Sequence, residues 1–498
     1  MNHIFKSQRP RLIARSLIIS LLCLSTQACV KHQYKSEPVN TVNVLSVINS
    51  WSVDNPDLNR FIESNGVTAN ELNSNVFSIK RLYLTSLFYD PEMQVAYKKW
   101  QKAQIATKHT NYNINPELSI PFEHHSDTSD GKSEWTIGAV LSFIYERKGK
   151  REARQAKAKV NLLNAKLEMS KLAFDRYSNI EERYHDYVIT RAKIAETENE
   201  IEVLKELSEQ LQKKYELGAV SQFELSTIKL ELQRRLFQLS LQENRKQAYK
   251  DELLAMTQLA HNELDKIQIE YIHPFAFTKK SYKNQELLAV DFTSLQKTML
   301  DNHFEMAIQL NEYAQAEADL RLKIENQYPD LVLSPGFIFD QSDNIWSLGA
   351  SWVLPLFENT QQNIEILEAL EERKIKQQEI IVLQKKLLNS LYKKHRSIKR
   401  HKSSIEVSDE IIESIEKRAN EIKTQIEMGG IDSVVILRNR VEFYKAKQAQ
   451  TDIYSEAINA MLEIERLIQT SHSDMEINKI VASWLTHIDE IKSNESGN

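Results

Sequence analysis

The chain has 498 residues, of which 27% are charged and 41% hydrophobic, yet it holds only ten glycines and ten prolines. So few turn-forming residues exclude a collagen-like chain, Gly/Pro-rich disorder and a turn-dense β-sandwich. The formal net charge of −5 leaves no electrostatic footprint for nucleic acid.

Residues 1–28 read as a signal peptide: Lys6, Arg9, Arg11 and Arg15, an apolar run from Leu17 to Leu24, then small and polar residues to Ala28. The run falls short of the roughly 20 apolar residues that span a bilayer. Its removal leaves 60 basic side chains against 69 acidic ones. Both cysteines, Cys23 and Cys29, lie in this segment, so a chain cut before Cys29 keeps one thiol and forms no internal disulfide. Residues 29–82, with Pro38, Pro56 and Gly66, read as a polar, irregular linker.

Proline is absent from 122 to 273 and again from 356 to 498. Those stretches are dense in Glu, Lys, Gln, Leu, Ile and Ala, mostly good helix formers. From Lys150 to Leu217 one unbroken helix would run about 100 Å. Its apolar residues follow steps of seven, Ile180, Tyr187, Ile194, Ile201, Ser208 and Tyr215, and Gly218 comes three residues later. A second ladder, Leu391, Ile398, Ile405, Ile412, Ala419 and Ile426, leads to Gly429 in the same way. Such periods mark coiled-coil seams.

The two ladders are offset by 211 residues. Asp90 to Ala96 falls on Asp301 to Ala307 at that offset, as Gly138 does on Gly349, while Asn115 to Leu118 answers Tyr328 to Leu331 at 213. This is the pattern of a tandem duplication with a two-residue indel in a loop. The first copy is placed at 83–290, the second at 291–470, and 471–498 is read as a short final helix and polar tail.

Each copy holds one stretch of period two. Trp135, Ile137, Ala139, Leu141, Phe143 and Tyr145 alternate with smaller or more polar residues, and Trp346, Leu348, Ala350, Trp352 and Leu354 do so in the second copy. That is a strand with one greasy face. Shorter alternating runs, Leu118 to Phe122 and Leu331 to Phe339, precede them across Ser- and Asp-rich turns. Two hairpins result. A greasy outward face with terminal aromatics suits a membrane barrel, but four strands leave unpaired edges in lipid, so several chains would have to share one barrel.

Taken in order, these motifs resemble the TolC family of bacterial outer-membrane efflux channels over roughly residues 80 to 470. The resemblance rests on Leu354-Pro355-Leu356-Phe357 at a strand end, Tyr145 to Arg151 at the turn that follows the first hairpin, and Tyr215 to Ser221 at a helix tip. It implies a mainly α fold with a small β part: long antiparallel coiled-coil helices form an α-barrel, and four strands per chain join a trimeric 12-stranded transmembrane β-barrel. It further implies a homotrimer in the outer membrane, reaching into the periplasm, that serves a periplasmic adaptor and an inner-membrane pump as a passive conduit. Trp135, Ile137, Leu141, Trp346, Leu348 and Trp352 would face lipid. Tyr215, Leu217, Gly218 and Val220, with Met428, Gly429, Gly430 and Ile431, would form the tips that dock on the adaptor. Cys29, preceded by Ala28, is similar to the lipidated cysteine of bacterial lipoproteins.

No HExxH, Walker loop, GxSxG or cysteine cluster occurs. Thirteen histidines are scattered, and the adjacent His124 and His125 would face opposite sides of a strand. Neither an enzyme nor a metal or cofactor site is expected. The alternative from a different class is a periplasmic adaptor or coiled-coil scaffold lipoprotein without a pore; such adaptors typically add glycine-rich β domains, for which this chain has few glycines.

Overall fold

The computed structural model describes residues 34–110, 112, 114–126, 132–273, 291–341, 343–354, 361–428, 432–469 and 476–496. The chain divides into two compact units after Ser50. In the first, helix α1 (Thr41–Asn49) starts where the Asn40 side chain accepts from the Val42 amide, and it buries none of its residues.

The second unit begins at Trp51. It opens with α2 (Pro56–Ser64), α3 (Ala69–Leu72), β1 (Val76–Phe77), α4 (Ile79–Tyr89) and α5 (Pro91–Lys108). Next come strands β2 (Glu117–Ser119), β3 (Phe122–His124) and β4 (Trp135–Tyr145), then helices α6 (Lys148–Glu216), α7 (Gln222–Met256) and α8 (His261–Leu264), and β5 (Gln268–Ile269). The second copy supplies α9 (Phe292–Asn302), α10 (Phe304–Glu325), β6 (Leu331–Asp340), β7 (Asp343–Ser351), α11 (Gln361–Glu427) and α12 (Ser433–Ile468), followed by α13 (Ile477–Ser496).

The 69 residues of α6 span about 100 Å at 1.5 Å per residue, and the 67 of α11 nearly match them. Their ladder residues are buried where the helices meet: Ile180, Tyr187, Ile194, Ile201 and Ser208 on α6, and Leu391, Ile398, Ile405 and Ile412 on α11. Ala419 and Ile426, near the end of α11, are only half-buried. Towards the sheet, α5, α6, α10 and α11 pack in that order. Away from it, α7 and α12 take the places of α5 and α10, giving α7, α6, α12, α11. The two long helices thus run through both layers.

Element boundaries fix the duplication better than residue matching does. Helices α4 and α9 each have 11 residues and start 213 apart, as β2 and β6 nearly do, whereas α7 and α12 start 211 apart. The offset therefore shortens by two residues between the start of the copies and the tips. Asp90, which caps α5, corresponds to His303 before α10, and the expected match of Asp90 with Asp301 is two residues out of register. Short helical segments carry too few apolar residues to pin a register by pattern alone.

The segments on either side of the duplicated part also differ from expectation. The stretch from 51 to 82, read as a linker, contributes core residues from two helices: Leu58, Phe61 and Ile62 of α2 and Leu82 of α4 are buried. Residues 471–498, read as helix and tail, include α13, whose Trp484 is 0% exposed beside Tyr97. Both segments join one cluster with α4 and the middle of α6. In it the Arg81 guanidinium donates to the carbonyls of Glu71, Leu72 and Ser74 at 2.7, 3.0 and 2.6 Å and lies 3.7 Å from the Phe77 ring centre. Three carbonyls at the end of α3 thereby gain a charged donor.

Candidate functional site: the ribbon and the tip

The two hairpins form one sheet. Strands run in the order β2, β4, β6, β7, and β3 pairs with the far end of β4. Ile120 and Pro121 interrupt the first strand because proline offers no amide to the ladder; the Pro121 carbonyl still accepts from Gly138 at 3.0 Å. Antiparallel pairing of β4 with β6, from Ile137 opposite Phe339 to Tyr145 opposite Leu331, joins the copies.

Alternation places Trp135, Ile137, Ala139, Leu141 and Phe143 on one face of β4, and register adds Phe337, Leu333, Trp346 and Leu348 from β6 and β7. Trp135, Ile137, Trp346, Leu348 and Trp352 are exposed, the last just past β7, and Leu141 is half-buried. The other face carries Thr136, Gly138, Val140 and Ser142 with Asp340, Ile338, Gly336 and Ser334. Thr136 and Gly138 are buried, and the Ser142 and Ser334 hydroxyls are 2.9 Å apart. A Cβ on Gly138 would come within 2.8 Å of Ile338, so close strand approach requires glycine there. On β4 the apolar side chains therefore stand on the more exposed face, while the opposite face is lined mostly by small or polar residues, with Val140, Ile338 and Ile345 among them. His124 and His125 turn apart, His124 against the Trp135 ring and His125 Nε2 2.9 Å from the Thr136 hydroxyl. Among the described residues, no group of three or more His, Cys, Asp or Glu is placed to hold a metal ion, and no helix is long and apolar enough to cross a membrane.

At the other end of α6 the chain reverses at Gly218, which has φ +73°. The Gly218 amide donates to the Tyr215 carbonyl at 2.9 Å and the Ala219 amide to the Lys214 carbonyl at 2.8 Å. This is a Schellman closure, with glycine in the left-handed position. Ser221 then caps α7 by accepting from the Glu224 amide at 3.2 Å. Leu217 is 83% exposed and Tyr215 also faces out. Val220 turns inward instead, packing beside Leu211, Leu225, Val434 and Leu437. Phe223, 81% exposed, is a tip residue that the sequence reading missed; an aromatic two residues past an N-cap serine is its only signal. Met428 is 80% exposed at the second reversal; Gly429, Gly430 and Ile431 lie outside the described residues, as does Cys29. Ion pairs tie the two tips: Lys214 to Asp432, Arg438 to Glu224, and Arg440 to Glu206 at 3.1 Å.

No protein-family model matches the chain, and no curated protein matches it in sequence. Solved structures do match in shape. The outer membrane protein VceC from Vibrio cholerae superimposes with a TM-score of 0.60 at 15% identity, over 78% of this chain and 95% of its own. The Campylobacter jejuni CmeC outer membrane channel gives 0.57 at 13% identity, over 92% of this chain and 94% of its own. The Neisseria gonorrhoeae MtrE outer membrane channel gives 0.56 at 10% identity, over 78% and 88%. At such identities the likeness is one of fold: long coiled-coil helices with a small sheet at one end, the class read from the sequence.

Proposed function

We propose that this chain is the outer-membrane channel component of a tripartite efflux or secretion system, a passive conduit from periplasm to exterior. One observation carries the reading. The ribbon exposes an apolar face and ends in two unpaired edges, β2 with β3 on one side and β7 on the other, and in a bilayer such edges must be paired.

Three copies close the sheet as a homotrimer of twelve strands. The flanks of the helical layer support the same assembly, since Phe237 and Leu236 on α7, and Val407 and Ile411 on α11, are exposed apolar residues whose burial against a second copy is favourable. A tube of this kind has no catalytic constellation; pore width and lining decide what passes. The fold it shares with named outer membrane channels supports the same reading.

The tips, built on Gly218 with Tyr215, Leu217 and Phe223 and on Met428, Gly429, Gly430 and Ile431, are the docking surface for a periplasmic adaptor, which connects to an inner-membrane pump. A lipidated Cys29 anchors the mature N-terminus. Full-length protein purified in detergent and added to planar bilayers tests the conduit: trimeric particles that conduct support it, and protein that inserts without conducting overturns it in favour of the scaffold. Mass spectrometry of the mature N-terminus checks Cys29.

A further inference from the structure

Midway along α6, where α12 crosses it, a cavity of about 200 Å³ is lined by Phe174, Tyr177, Glu181, Asn459 and Glu465. Glu181 on α6 and Glu465 on α12 are each only 8% exposed. Two carboxyl groups from facing helices therefore share one small buried space. The Tyr177 hydroxyl donates to Glu181 Oε1 at 2.7 Å.

The fold does not demand acids here. At the 211-residue offset of the long helices, the counterpart of Glu465 is Leu254, buried in an apolar cluster, and that of Glu181 is Tyr392. Carboxyl groups buried in the same space oppose each other when ionised, and burial alone disfavours the charged form. We propose that the Glu181–Glu465 pair makes the packing of α6 on α12 pH-dependent: protonated carboxyls let the seam close, and ionisation pushes the two helices apart.

Glu182, Glu463 and Arg466 also line the cavity, and each has a further partner. On α12, Arg466 donates to Glu182 Oε2 and to Asn179 Oδ1, both at 3.1 Å, and Glu463 pairs with Lys394 of α11. Arg176, on the same helix as Glu181, holds Asp90 and Glu92 at the start of α5 at 2.6 and 2.9 Å. At the start of α10, buried His303 is influenced by Glu305, Lys171 and Asp175. Among the described residues, Arg466 is the cation that acts on Glu181, and it does so less than burial.

Burial pushes Glu181 up to about 7, against which the Tyr177 hydrogen bond and Arg466 act. It pushes Glu465 up to about 9, with the Glu181 charge raising it further. The folded chain thus holds these protons to higher pH than the unfolded chain, whose carboxyls ionise near 4.5. Stability from the pair is complete below that value and is lost as pH rises through about 7 and about 9.

Thermal melting of the full-length protein in one detergent at pH 5.5 and 8.5, followed by circular dichroism, tests this. Wild type should melt lower at pH 8.5, by ~5 °C. The double variant Glu181→Gln/Glu465→Gln, in which amides replace the protonated acids, should lose most of that difference, and Glu463→Gln should keep it. A purely structural role would shift melting equally at both pH values. A double variant that retains the wild-type pH difference, or a wild type without one, overturns the proposal. Because the readout is packing within one chain, the result stands whether or not the protein conducts.

Discussion

Ala219 donates its amide to the carbonyl of Lys214 at 2.8 Å across Gly218. That bond ends a helix of 69 residues and starts its antiparallel partner within five residues. The reversal that makes a tip is therefore a backbone property, with exposed Leu217 and Phe223 carried on either side.

Gly218 has φ +73° and no atom within 4 Å of where a Cβ would stand. Substitution costs conformational strain and no clash. Gly218→Ala should destabilise the tip by about 1 kcal/mol, seen as faster amide exchange over 212–224 with little change in global melting. In contrast, Leu217→Asp and Phe223→Asp should leave stability unchanged and reduce adaptor capture and efflux; full efflux with normal trimer abundance would remove the tip from the docking surface.

Phe237 and Ile411 lie on the two outer flanks, on α7 and α11. A charge at either position opposes burial of ~1.5–3 kcal/mol of apolar side chain. Phe237→Asp or Ile411→Asp should shift detergent-solubilised protein from trimer towards monomer, measured by light scattering, while helix content by circular dichroism is retained.

Trp484 is fully buried against Tyr97. Trp484→Ala should cost about 3–5 kcal/mol, and removal of residues 477–498 should cost at least as much. Arg81→Met should also destabilise, by roughly 2–3 kcal/mol, because three carbonyls lose a charged donor. Denaturant unfolding checks all three; a terminal deletion that unfolds like wild type would show that α13 is dispensable.

Buried His185 has its basicity pushed down to about 4 by desolvation. Its lowered value means that the unfolded chain takes up the proton first as pH falls below about 6.5. Stability tied to this residue is present above that range and lost as pH falls through about 4. His185→Gln should flatten the acid limb of a melting profile between pH 6.5 and 4, opposite in sign to the alkaline loss assigned to Glu181 and Glu465. An unchanged acid limb would place the titrating group elsewhere.

Much of this protein is written locally. Absence of proline with a seven-residue apolar step determines α6 and α11; a glycine three residues past the ladder determines the reversal at Gly218; period two determines which face of β4 carries Trp135 and Ile137. Each signal lies within a few residues of its effect. Tertiary structure alone decided what depends on distant partners. It paired β4 with β6 some 200 residues on, drew Trp484 into the core beside Tyr97, turned Val220 inward, and set Glu181 and Glu465 around one cavity. Trp484 is buried by a core of the first copy and the segments flanking it, Glu181 and Glu465 by the meeting of α6 with α12, and no periodicity along one helix encodes such meetings.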